Sequence, residues 1–172
     1  MTINQRKNLI LWRHAEAQDV QFADNDFSRA LTKKGKGQAV MMATWLKQHL
    51  AKDIRIISSP ALRAEQTAQA LDLPYHLDKS LLPEASIEEV LQLVQETFHQ
   101  SNISDILLVG HQPWLGQVAA YFLQLNTAEI TINKSTVWWL TQNLKQHKKF
   151  ENSELDEKFN LATVQDLRFI LD

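Results

Sequence analysis

The chain has 172 residues, 44% of them hydrophobic, with 18 Lys and Arg set against 20 Asp and Glu. That length and apolar share suit a single domain over residues 1–172 with a substantial core. A net charge of −2 offers no global field for nucleic acid or an anionic membrane, and the lack of cysteine excludes disulfides and thiolate metal sites.

In chain order, Leu9-Ile10-Leu11-Trp12 reads as a buried strand that ends abruptly in Arg13-His14. Basic residues precede this apolar run, as in a signal peptide, but the run is short and Arg13 interrupts it, so a cytoplasmic protein without a membrane span is expected. Gln18 to Ala30 is polar and irregular and reads as a loop. Thr32 is an N-cap for a helix with Ala39, Ala43, Leu46 and Leu50 on one face. Gly35 and Gly37, early in that helix, are poor helix formers that either permit a close backbone approach or are simply tolerated.

Arg55 to Ser58 is a second strand. Ser59-Pro60 after it suggests a capping residue and a proline at the first helical position, with Ala61, Ala64, Ala68 and Leu71 as a narrow packing stripe. Leu73 to Leu77 is a short strand that Pro74 confines to an edge. Pro83 and Ser86 introduce a helix turning Ile87, Val90, Leu91, Val94 and Phe98 inward. Ile106 to Val109 is apolar enough for a strand covered on both faces, and Pro113 starts a fourth helix. Ser135–Thr141 and Ala162–Leu171 then read as an antiparallel pair flanking a charged, solvated stretch from Lys145 to Lys158. In Trp138-Trp139 one ring faces the core and one the surface. The fold expected is a three-layer α/β/α sandwich with a largely parallel sheet and an antiparallel C-terminal part.

Three strand ends therefore carry chemistry: Arg13-His14, the segment leading to Arg63, and His111 after Gly110. Singly, each reads as a capping or surface residue. Together at the carboxyl ends of strands, where open α/β sheets bind ligands, they offer guanidinium forks, imidazoles and helix N-termini to one anion. His49, His76, His99 and His147 lack metal-ligand spacing, and neither a metal nor another cofactor is expected.

Leu11-Trp12-Arg13-His14-Ala15-Glu16, Arg29-Ala30-Leu31-Thr32, Ser59-Pro60-Ala61-Leu62-Arg63-Ala64-Glu65-Gln66-Thr67-Ala68 and Gly110-His111-Gln112-Pro113 resemble, in order and spacing, the histidine phosphatase superfamily (phosphoglycerate mutase-like), and within it the SixA-type phosphohistidine phosphatases. The resemblance spans roughly residues 9–125 and implies that fold. It implies His14 as the nucleophile, Arg13 and Arg63 as holders of the phosphoryl oxygens, and His111 as a further donor to them. Arg29 is an additional phosphate or substrate contact. Ala15 stands where many members have glycine. Glu84 is either the general acid or a charge at a helix start. The activity implied is metal-independent hydrolysis of a phosphohistidine on a partner protein domain in phosphorelay or phosphotransfer signalling. Alternatives are a phosphatase for a small sugar or nucleotide phosphate ester and a non-catalytic phosphate-binding module. An open, shallow rim formed by Trp114 and the 18–30 loop is expected for a protein-borne substrate.

Overall fold

In the computed structural model, which describes residues 6–100, 103–128, 130–143 and 160–165, strand β1 (Arg6–Arg13) sorts its side chains to two cores. Leu9 and Leu11 enter one, Ile10 and Trp12 the other, and all four are fully buried. Strand β4 (Asp105–Gly110) does the same, with Ile106 and Leu108 opposite Leu107 and Val109. A strand covered on both faces needs a continuous apolar run, which is why these two segments do not alternate. Each such aliphatic side chain contributes about 1.5–3 kcal/mol on burial.

The remaining strands are β2 (Arg55–Ser58), β3 (His76–Leu77), β5 (Val137–Asn143) and β6 (Asn160–Gln165), and the sheet order is β3-β2-β4-β1-β5-β6. β1 to β4 pair in parallel, whereas β5 is antiparallel to β1 and β6 to β5. Helices α1 (Lys33–His49) and α2 (Leu62–Gln69) cover one face with Met42, Ala43, Leu46, Ala64 and Ala68. Helices α3 (Ile87–His99) and α4 (Trp114–Phe122) cover the other with Val90, Val94, Leu115, Val118 and Phe122. The three-layer sandwich and its antiparallel C-terminal edge are as expected.

Local signals explain most boundaries. Thr32 caps α1 by accepting the Gly35 N–H, and Ser86 and Glu89 form a reciprocal capping box on α3. The expected Leu73–Leu77 strand shrinks to two residues at the edge. Pro60 does not open α2, which starts at Leu62 behind Ala61 without a side-chain cap. The Ser59 hydroxyl accepts the Ala61 N–H instead, and its backbone N–H extends the sheet to Val109 O, which delays the helix. Trp138 and Trp139 do face opposite ways, but each packs half-buried against a core, so neither is a surface ring. The charged stretch from Lys145 to Lys158, His147, and the part of the last expected strand beyond Gln165 lie outside the described residues.

Candidate active site

The parallel register sets Arg13 beside Gly110, and the ladder continues one step further as His14 N–H donates to Gly110 O at 3.0 Å. The imidazoles of His14 and His111 leave adjacent strands side by side, their ring centroids 5.1 Å apart. His14 is only 6% exposed and His111 2%.

The tautomer of His14 follows from its neighbour. Nδ1 lies 2.8 Å from the carbonyl oxygen of Ala15, which can only accept, so Nδ1 carries the proton and Nε2 keeps a lone pair. Burial pushes the His14 pKa down to about 3; the Ala15 hydrogen bond opposes this, and the charges of Arg63, Arg13 and Lys134 reinforce it. The ring is therefore neutral at physiological pH, with the Nε2 lone pair free. His111 is driven to about 2, first by burial, then by His14 and by Arg63, Arg13 and Arg29. Its Nε2 lies 2.9 Å from Ser59 Oγ. Ser59 Oγ also accepts the Ala61 N–H, so one hydroxyl ties the His111 ring to the turn before α2.

Both arginines are fixed by backbone or carboxylate partners. Arg13 Nη1 donates to Ile132 O at 2.6 Å, and Ser135 N–H donates to the carbonyls of Arg13 and His14. Arg63, the second residue of α2, donates through Nη1 to Asp26 O at 2.6 Å and through Nη2 to Asp26 Oδ2 at 2.9 Å. Arg29 takes the other carboxylate oxygen of Asp26 at 2.8 Å and donates from Nε to Gln18 O. These bonds, Arg29's first and Arg63's after it, hold the Asp26 carboxyl below the usual carboxylate range. Arg13 Nε, Arg63 Nε and His111 Nδ1 are buried without hydrogen-bond partners among the described residues. Trp12 Nε1, Thr136 Oγ1 and Gln142 Oε1 are also buried without such partners, so half of these six atoms lie on the arginines and histidine of the three strand ends.

The motif residues between the charges are scaffolding. Thr67 Oγ1 accepts the Ala15 N–H and donates to Arg63 O, tying the strand end that carries His14 to α2. Gln66 accepts the Leu31 N–H, and Thr32 donates to Glu16 Oε1. Gly35 lets α1 approach the chain just past His14, since a Cβ there would stand 1.9 Å from Glu16 O, whereas one at Gly37 would meet nothing. Gly110 likewise makes room for Trp114, whose ring a Cβ would meet at 2.0 Å.

That packing corrects one expectation. Trp114 is fully buried beneath Gly110 and donates to Leu82 O, so it forms no rim. The 18–30 loop does border the site, through Asp26. It folds onto the start of α2 through Leu62 N–H to Phe27 O and the Asp26–Arg63 contacts. Glu84 stands exposed in the turn before Ser86, outside α3, whose first turn carries Glu88 and Glu89. It is therefore not the helix-start charge, and among the described residues no hydrogen bond or ion pair ties it to the histidines. Sequence reasoning passed over Ser59, Asp26 and Lys134 as site residues. Among the described residues no three His, Cys, Asp or Glu side chains gather as a metal cluster.

The chain belongs to the histidine phosphatase superfamily: residues 9–89 match the family profile described as histidine phosphatase superfamily (branch 1). A phosphohistidine phosphatase SixA homolog of Haemophilus influenzae is 31% identical over 126 residues, covering 66% of this chain and 75% of the relative. Phosphohistidine phosphatase SixA of Escherichia coli is 30% identical over 119 residues, covering 65% and 71%. Among solved structures, the protein histidine phosphatase SixA complexed with tungstate superposes with a TM-score of 0.75 at 21% identity, over 95% of this chain and 99% of the other. At that identity the structural likeness speaks for the fold.

Proposed function

We propose that this protein is a phosphohistidine phosphatase, removing a phosphoryl group from a histidine of a partner protein in cytoplasmic phosphorelay or phosphotransfer signalling. The observation that carries the reading is the single available lone pair. Ala15 O takes the His14 Nδ1 proton and leaves Nε2 its lone pair, burial holds the ring neutral, and the charges of Arg63 and Arg13 and the unpartnered His111 Nδ1 stand near it. The curated relatives bear the SixA name, and the solved neighbour holds tungstate, an oxyanion with the charge and shape of phosphate.

In this reading Arg13 and Arg63 hold the phosphoryl oxygens and His111 Nδ1–H donates to one of them, with Arg29 as a further contact. His14 Nε2 attacks phosphorus, the bond to the substrate nitrogen breaks, and the substrate histidine, already protonated on its other ring nitrogen, departs as neutral imidazole while His14 keeps its Nδ1 proton. Water then attacks the phosphorylated His14, releasing inorganic phosphate and restoring the ring. The first step exchanges one phosphorus–imidazole bond for another, so it is close to balanced in energy. The barrier falls through positioning and through donors already aimed at the developing charge. An imidazole leaving group needs little proton donation, which suits a site where Glu84, the acid suggested by the resemblance, stands exposed in a turn.

The test is a substrate panel in chelator: a histidine-phosphorylated phosphotransfer domain, free phosphohistidine, and sugar and nucleotide phosphates. The phosphohistidine forms are expected to be hydrolysed with the higher kcat/KM, and Glu84→Gln to slow them only slightly. A preference for the esters, with a severe loss in Glu84→Gln, overturns the reading in favour of a small-ester phosphatase.

A further inference from the structure

We propose that the 18–30 loop, together with the lysines at the start of α1, is the docking surface for the protein that carries the phosphohistidine. The occupant is a domain presenting that residue among apolar and acidic side chains. The inference rests on the phosphohistidine reading above.

The loop is held by polar contacts. Its base is closed by Gln18 N–H to Ala30 O and by the Ala17–Leu31 bridge, and its tip by Leu62 N–H to Phe27 O and by the Asp26 clamp on Arg63 and Arg29. Its bulky apolar side chains are not buried by this folding. Val20 is 53% exposed, Phe22 71% and Phe27 51%. Isolated exposed apolar residues are ordinary, and Val40, Leu73, Leu77, Tyr121 and Leu125 are scattered over other elements. Three within eight residues, on a loop whose own carboxylate grips a phosphate-site arginine, are not scattered. A phosphoryl group carried into that site on a protein brings the surrounding protein surface against this loop.

Charge supplies a second, independent observation. Lys33, Lys34 and Lys36 crowd the first turn of α1, which has no acidic residue. The helix dipole disfavours cations at an N-terminus, so this placement does not serve the helix. Lys34 pairs with Glu16, two residues beyond the nucleophile, so these lysines border the same site, and the charge of Lys134 reaches His14. Such a rim attracts an acidic partner and speeds its arrival.

The experiment measures kcat/KM on a histidine-phosphorylated phosphotransfer domain and on free phosphohistidine, with p-nitrophenyl phosphate as a third substrate. Free phosphohistidine has the same reacting bond and no docking surface. Phe22→Ser/Phe27→Ser is expected to lower kcat/KM on the protein by at least about tenfold and leave free phosphohistidine within about twofold. Lys33→Glu/Lys36→Glu, an independent variant should the first fold poorly, is expected to lower only the protein rate and to flatten its salt dependence. Unchanged protein rates in both variants, or equal losses on both phosphohistidine forms, overturn the docking surface. A wild-type enzyme that hydrolyses p-nitrophenyl phosphate and neither phosphohistidine form defeats the substrate reading itself, and the docking surface with it.

Discussion

The two ends of β1 and β4 treat buried polar groups in opposite ways. At the amino ends, Asn8 Nδ2 donates to Asp105 Oδ1, Ser104 donates to the other carboxylate oxygen, and Trp139 Nε1 and Thr141 Oγ1 both donate to Asn8 Oδ1. Arg6 adds a bond to Thr141. The side chains of Asn8 and Asp105 answer one another and their neighbours, which pins three strands in register, with Gln142 Oε1 on β5 left without a partner beside them. At the carboxyl ends, a few residues further along the same strands, Arg13 Nε and His111 Nδ1 answer nothing among the described residues. The satisfied cluster serves stability. The unsatisfied one costs stability and, in the proposed reading, is there to meet a phosphoryl group.

The sharpest way to break this division is His14→Ala. Turnover is expected to fall by at least about 10⁴-fold, while vanadate binding persists in part because the arginines remain. Near-normal turnover in a single-turnover assay would rule out the covalent route. At the other end, Asn8→Ala leaves Asp105, Trp139 and Thr141 short of partners. It is expected to destabilise the fold by about 2–3 kcal/mol in urea unfolding, with kcat unchanged. Loss of kcat without loss of stability would erase the contrast.

A third test is pH. His14 and His111 titrate near 3 and 2 when folded, below their ordinary 6.5. As pH falls, the unfolded chain takes up protons first, so stability is complete above about pH 6.5 and declines towards pH 3. The melting temperature is expected to drop between about pH 7 and pH 4.5, and less steeply in His14→Ala. A flat profile over that range would show that the rings are not held neutral.

Most of the frame was legible in the sequence because its signals are local. Continuous apolar runs marked β1 and β4, Thr32 and Ser86 marked helix starts, and four motifs in order marked the histidines and arginines. What escaped depends on contacts distant in the chain. Ser59 looked like a cap because its distant partner, His111, lies 52 residues away. Asp26 was one acid among several in a polar loop, and only the loop's closure onto Arg63 distinguishes it. Trp114 looked accessible because nothing in a linear reading says that Gly110 makes room for its ring.

The register that sets Arg13 beside Gly110 has a further consequence. Neighbouring strands in any sheet lie about 4.7–4.9 Å apart. The 5.1 Å between the two imidazoles is thus close to the sheet's own repeat. The spacing of the histidine pair starts from the backbone repeat of β1 and β4, with Ala15 O and Ser59 Oγ setting the rings. Loops around such a pair are free to diverge in length and sequence, and with them the choice of molecule admitted, while the ruler beneath stays the same.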